Sequence, residues 1–235
     1  LRRAIIHLMR IAYKFRLWTT PNQERELASL LETHRRLYND ALSQRKDAYE
    51  SRGIAITFED QWRWLTLERK SHQFLSKVNC KSATITIRRL DRAFANFFRR
   101  VKAGEAPGYP RFKSRDQFGS FTFQVGDGGA QLKGNRLRVQ NAGVIRVCLH
   151  RPVEGRTKTL TIKREADHWY LIVSCDLGTV EVTQSTNPSV GIDVGLESFA
   201  TTSDGEHVAN PRLLKRELPE LRRRQRALSR AKRGS

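Results

Sequence analysis

The chain has 235 residues and carries 44 Lys plus Arg against 24 Asp plus Glu, a formal net charge of +20. A hydrophobic fraction of 38% that includes 11 Phe, 4 Trp and 5 Tyr supplies bulk for a packed core and excludes a disordered polybasic tail. So large a positive excess suits a polyanion, most simply nucleic acid, better than a small-molecule substrate.

Met9 precedes the first clear strand and reads as a natural start, with residues 1–8 upstream of it. Residues 11–17 alternate, with Ile11, Tyr13, Phe15 and Leu17 on one face and Lys14 and Arg16 on the other, which predicts a half-buried strand. Thr20 then reads as an N-cap, Pro21 as the first helical residue and Gln23 as the closing member of a capping box. Leu27, Leu30, Leu31, His34, Leu37, Tyr38, Ala41 and Leu42 keep helical spacing to about Arg52. A weaker helix is predicted over 58–70, and a third over 82–102 with Leu90, Ala93, Phe94, Phe97 and Val101 on one stripe. Arg88, Arg89, Arg92, Arg99, Arg100 and Lys102 lie elsewhere on that third helix.

From Gly104 a Gly/Pro loop, GEAPGYPRFKSRD, excludes helix. Five alternating runs follow at 120–125, 131–139, 144–149, 158–164 and 168–176, separated by turn residues, which predicts a small barrel or sandwich joined by the first strand. The helical block is then an insertion after that first strand. Thr183–Ser189 reads as a linker. VGIDVG beyond it reads as a buried strand, SFATTS as a second, and Asp204-Gly205 as a hairpin turn. From Pro211 a basic helix carries Leu214, Leu218, Leu221, Gln225 and Leu228 on one seam, with Pro219 opening its main part at Glu220 or kinking it. That pattern still runs at Ser235, so the chain reads as a fragment.

No run approaches the ~18 apolar residues of a membrane span, so no membrane partner is expected. Residues 1–11 lack the apolar centre of a secretory signal. Cys80, Cys148 and Cys175 form no CxxC pair, which excludes a disulfide scaffold or zinc finger within these residues and fits a reducing cytoplasm. The six histidines show no ligand spacing.

The sharpest candidate is Asp193, an acid between glycines in an apolar strand. Such a group, when buried, has a partner or binds a metal; a strand-end Asp capping a turn is the plainer reading. Glu197, Asp204 and Glu206 read as hairpin surface. Arg111, Lys113 and Arg115 alternate around Phe112. They read either as a strip along a sugar–phosphate backbone, with Phe112 packed on the barrel, or as a solvated basic loop. Phe58, Trp62 and Trp64 read as core before base-stacking groups, and Phe94, Phe97 and Phe98 as core.

Three segments, in order, resemble the TnpB/OrfB family of transposon proteins, relatives of type V CRISPR effectors. AYKFRLWTTPNQ is similar to the family's opening strand and helix cap, and LDRAFANFFRRVKAGEAPGYPRFKSRD to its middle motif. GIDVGLESFATTSDGEHVANPRLLKRELPELRRRQRALSRAKRGS resembles its first nuclease motif. The resemblance implies an α+β multidomain protein. A small antiparallel wedge β-barrel would span 9–18 and 104–183, an inserted helical recognition domain 19–103, and the start of a RuvC domain of RNase H-like fold 187–235. It implies an RNA-guided DNA endonuclease of the prokaryotic cytoplasm and nucleoid. Its partners would be a guide RNA from the transposon end and double-stranded target DNA with a short adjacent motif.

The same resemblance places Asp193 as the first Mg²⁺ carboxylate. Lys81 and Thr84 would lie near the adjacent motif, and Arg88, Arg89, Arg92, Arg99 and Arg100 on heteroduplex phosphates, with Arg111, Lys113 and Arg115 on nucleic acid. The family's later Glu, late Asp and paired CxxC zinc knuckles do not occur in these 235 residues. Mg²⁺ therefore needs ligands outside this chain, zinc is expected only in a C-terminal part, and the chain alone is expected not to cut. The alternatives are a shortened or nuclease-dead guide-RNA and DNA binder acting as a repressor, or a general basic RNA-binding protein.

Overall fold

The computed structural model describes residues 5–182 and 189–231. It divides into two compact units, Leu1–Val182 and Thr183–Ser235. Residues 183–188 of the expected linker lie outside the described residues.

In the first unit the opening strand β1 spans Ile5–Trp18, longer than the alternation predicts. A register shift between Leu8 and Arg10 against its partner strand breaks the period of two, and the sequence pattern cannot be followed through it. The chain then enters α1 (Pro21–Arg52) through the expected capping box. The Thr20 side chain accepts from the Gln23 amide, and the Gln23 side chain accepts from the Thr20 amide. Helix α2 (Phe58–Ser71), the single turn α3 (Gln73–Ser76) and α4 (Cys80–Lys102) complete the helical block.

Six strands follow the Gly/Pro loop. These are β2 (Ser120–Gln124), β3 (Ala130–Lys133), β4 (Arg136–Val139), β5 (Gly143–Cys148), β6 (Arg156–Glu165) and β7 (His168–Val182). The run expected as one strand over 131–139 is two, because Gly134 takes a left-handed conformation (φ 52°) and turns the chain between them. The sheet order is β2-β6-β7-β1-β5-β4-β3, with every neighbouring pair antiparallel, and it curls into a nearly closed barrel.

The alternation that predicted these strands also fills the barrel. Phe15, Phe121, Phe123, Leu137, Ile145, Ile162, Leu171 and Val173 are buried, and they share one hydrophobic cluster with Leu27, Leu37 and Leu42 of α1 and Ile87 and Leu90 of α4. Two buried polar groups fix how the helices meet. His34 sits with Nδ1 2.8 Å from Thr86 Oγ1 and Nε2 3.2 Å from Ser82 Oγ, its ring stacked 5.1 Å from Phe121. Burial pulls its pKa down to about 3, so it is neutral at physiological pH. Arg45 donates to Gln61 and Asp91, linking α1 to α2 and α4.

Two aromatic expectations fail. Trp62 is 46% exposed because Gln61 and Leu65 take the buried face of α2 and Trp62 lies off it, and Phe98 is 54% exposed because it lies beyond Phe94, the last buried residue of α4; Phe58, Trp64 and Phe94 do pack on the core.

The second unit holds β8 (Ile192–Asp193), β9 (Ser198–Thr202) and β10 (His207–Ala209), in sheet order β10-β9-β8, and α5 (Leu213–Arg230). The turn at Asp204-Gly205 forms as expected, with Gly205 at φ 87°. VGIDVG is not a buried strand. Only two of its residues pair, and Ile192 and Val194 are 67% and 69% exposed. The cause is the absence of a second layer: among the described residues of this unit none is buried. Helix α5 runs through Pro219 rather than opening at Glu220, and Leu214, Leu221 and Leu228 of its seam stand exposed.

Candidate functional site

Asp193 lies opposite Thr201 across the β8–β9 pair, and Thr201 lies opposite His207 across the β9–β10 pair. The three therefore form one row on one face of the small sheet, with Thr201 Oγ1 3.2 Å from His207 Nδ1. The row is held by backbone bonding: the Gly191 amide donates to Ser203 Oγ at 3.0 Å, and the Ser203 amide donates to the Gly191 carbonyl at 2.8 Å. A Cβ on Gly191 would meet Ser203 at an ordinary 3.7 Å, so close packing does not demand the glycine. His207 is the residue that sequence reading passes over. Counting outward from a two-residue Asp204-Gly205 turn would have set it opposite Thr202; the loop instead takes in Ser203 and closes on Thr202 and Glu206, which moves His207 opposite Thr201.

Glu197, Asp204 and Glu206 are exposed, as the hairpin-surface reading expects. Among the described residues no three His, Cys, Asp or Glu side chains gather as metal ligands. The residues present therefore do not by themselves fit a magnesium site.

The cationic candidates lie in the first unit. Lys81 and Thr84 occupy the first turns of α4, where the Thr84 hydroxyl donates to the Cys80 carbonyl at 2.9 Å and Lys81 is exposed. Arg88 lies 4.9 Å over the Phe58 ring. Arg89 is exposed, yet its guanidinium donates to the Ser120 carbonyl at 2.8 Å and lies over the Phe118 ring, so that it braces α4 against β2. Arg92 is exposed.

The loop after Pro110 is fastened to α1. The Lys113 amide donates to Asn39 Oδ1 at 2.8 Å, and its carbonyl accepts from Asn39 Nδ2 at 3.0 Å and from Arg35 Nη1 at 2.9 Å. Phe112 accordingly lies beneath Lys46 of α1, 48% exposed, rather than packing on the barrel. Arg111 is exposed, and Arg115 stands 3.6 Å from Glu32. Hydrogen bonds from Arg35 and Arg36 hold the Glu32 carboxyl down at about 2, so this acid stays ionised and offsets part of the local positive charge.

Residues 9–53 match a family profile described as a helix-turn-helix domain of IS605 OrfB. In the structure this segment is most of β1 followed by α1. Residues 172–235 match the IS605 OrfB family described as "Probable transposase". A Streptomyces pristinaespiralis protein named "Putative RNA-guided DNA endonuclease" is 30% identical over 229 residues, 95% of this chain and 56% of the relative. An Escherichia coli K12 protein named "Putative RNA-guided DNA endonuclease InsQ" is 29% identical over 224 residues, 93% of this chain and 54% of the relative. The chain thus spans about half the length of the curated relatives it matches. A chain in the structure of a Cas12f1–sgRNA–target DNA complex is similar over 94% of this chain and 62% of its own, at 14% identity and a TM-score of 0.39.

Proposed function

Because this chain belongs to the IS605 OrfB family of transposon proteins, we propose that it is the guide- and target-holding part of an RNA-guided DNA endonuclease. The observation that carries this reading is the alignment of 95% of the chain with a relative named for that activity. The +20 charge and the exposed Lys81, Arg92, Arg111 and Arg115 support it, since a polyanion is the partner such a surface suits. In this reading the guide RNA derives from the transposon end, and a short motif beside the double-stranded target is read near Lys81 and Thr84. The barrel with its helical block holds RNA and DNA, and residues 187–235 open a RuvC-type nuclease domain. No described helix is long and apolar enough to cross a membrane, and the proposed setting is the cytoplasm and nucleoid.

Asp193 is the one acid proposed for the cleavage site. A divalent ion there would supply charge stabilisation for phosphodiester displacement. The partners of Asp193 are proposed to come from the stretch of the relatives that this chain does not span, together with any zinc knuckle. The exposed face of β8 and β9 and the leucine seam of α5 support that arrangement, because both are apolar surfaces without a covering layer.

The test is the RNA that accompanies the purified chain from its native cell. A guided protein brings down one RNA species of defined length and sequence. A spread of lengths without a common sequence would instead make it a general basic RNA binder.

A further inference from the structure

The outer face of the barrel carries a cluster that the family matches do not assign. On β1 the buried Tyr13, Phe15 and Leu17 alternate with outward Lys14, Arg16 and Trp18. Register then sets the neighbours. Arg16 lies opposite Tyr170 of β7 and Cys148 of β5, Tyr170 opposite Lys163 of β6, and Trp18 opposite Arg146, which itself lies opposite Arg136 of β4. Arg138 is the next outward position on β4. Four strands of this run, β6, β1, β5 and β4, therefore bring six cations, Lys14, Arg16, Arg136, Arg138, Arg146 and Lys163, onto one patch, and β7 between β6 and β1 adds Tyr170. Among the outward strand positions of this patch the acid is Glu165, and it is already engaged by Lys14 and Lys163.

Two rings stand among these cations. Trp18 is 52% exposed with the Arg16 guanidinium 4.8 Å from its ring centroid, and Tyr170 has Lys14 Nζ 4.3 Å from its centroid. Because Arg16 faces Tyr170, Trp18 and Tyr170 are diagonal neighbours on adjacent strands, a separation of about 7–8 Å. An indole left half in water on a strand face would ordinarily be a liability. Set among unneutralised arginines, it has the composition of a stacking platform for unpaired bases, in which each ring takes a base face and each cation a phosphate.

We propose that this face binds a single-stranded segment of nucleic acid, with one unpaired base stacked on Trp18 and its phosphates on Arg138 and Arg146. The proposal rests on the reading of the chain as a nucleic-acid-binding protein and adds a site separate from α4 and the loop after Pro110. An RNA or a DNA strand presents the same chemistry to it.

The experiment measures binding of labelled ten-nucleotide oligouridine, oligothymidine and a blunt duplex to the 235-residue chain and its variants. Trp18→Ala is expected to weaken the single strands about tenfold or more while the duplex changes by less than about twofold, and Trp18→Phe to recover most of the loss. Arg138→Ala with Arg146→Ala is expected to lower the salt slope for the single strands by about 1.4. Tighter oligouridine assigns the strand to RNA, and tighter oligothymidine to DNA. Equal losses for duplex and single strands on Trp18→Ala, or no loss for either, would overturn the proposal. A half-exposed side chain leaves the fold intact, and an unchanged melting temperature verifies this. Should the Trp18 effect hold while no discrete RNA accompanies the chain from cells, the guided reading fails and this site stands.

Discussion

Asp193→Ala, introduced into residues 1–235 carried on a polypeptide of the relatives' full length, is expected to reduce DNA cleavage by about 10³-fold or more. That is the scale of losing several kcal/mol of charge stabilisation at the reacting phosphate. RNA binding should be unchanged. Asp193 is exposed, and the strand around it is held by backbone groups and by Ser203, so its side chain supports no core. Asp193→Asn keeps the shape and removes the charge, and it should be as inactive as Asp193→Ala. Cleavage that survives both substitutions would remove Asp193 from the reaction. Simultaneous loss of RNA binding would make it structural.

Arg45→Ala should destabilise the first unit by about 3 kcal/mol, the lower end of what breaking a buried ion pair costs. Arg45 is 8% exposed; its Nε donates to Gln61 Oε1 at 2.8 Å, its Nη2 to Asp91 Oδ1 at 3.0 Å, and its guanidinium lies 5.0 Å over Phe94. Asp91 is 42% exposed, so water replaces much of what it loses. Gln61 is 1% exposed, and its Oε1 would be left buried without a donor while Nε2 still donates to the Ala41 carbonyl. At the size of this unit the melting temperature should fall by roughly 10 °C. Arg45→Lys should fall between, because an ammonium can still reach one partner but not both. A shift within about 0.5 kcal/mol for Arg45→Ala would show that the Arg45 bridge does not hold the three helices together.

Local signals made part of this structure legible. Thr20, Pro21 and Gln23 specify a helix start through bonds within four residues, and the alternation of β1, β5, β6 and β7 survives folding because each strand has one face in the barrel. The failures share a cause in non-local geometry. The register shift at Leu8–Arg10 hides the first part of β1, and Gly134 divides a run whose alternation reads as continuous. VGIDVG looks buried by composition, yet burial needs a second layer that the described residues of its unit do not provide.

The site divides in the same way. Asp193 stands out within five residues of sequence, whereas its row with Thr201 and His207 depends on two strand pairings. Arg89 reads as one more helix cation, and only the placement of Ser120 and Phe118 makes it a brace between α4 and β2. The Trp18 patch could not be read linearly, since its members come from five strands between residues 14 and 170.

The claim that the chain uses an RNA to choose DNA is tested most directly by binding. The chain, loaded with a single defined RNA, is offered two duplexes that differ only in whether one strand complements that RNA. The complementary duplex should be held tightly and the other only as any DNA is held by a basic protein, with the preference lost when the RNA is digested. Equal binding of the two duplexes, with or without RNA, would contradict it.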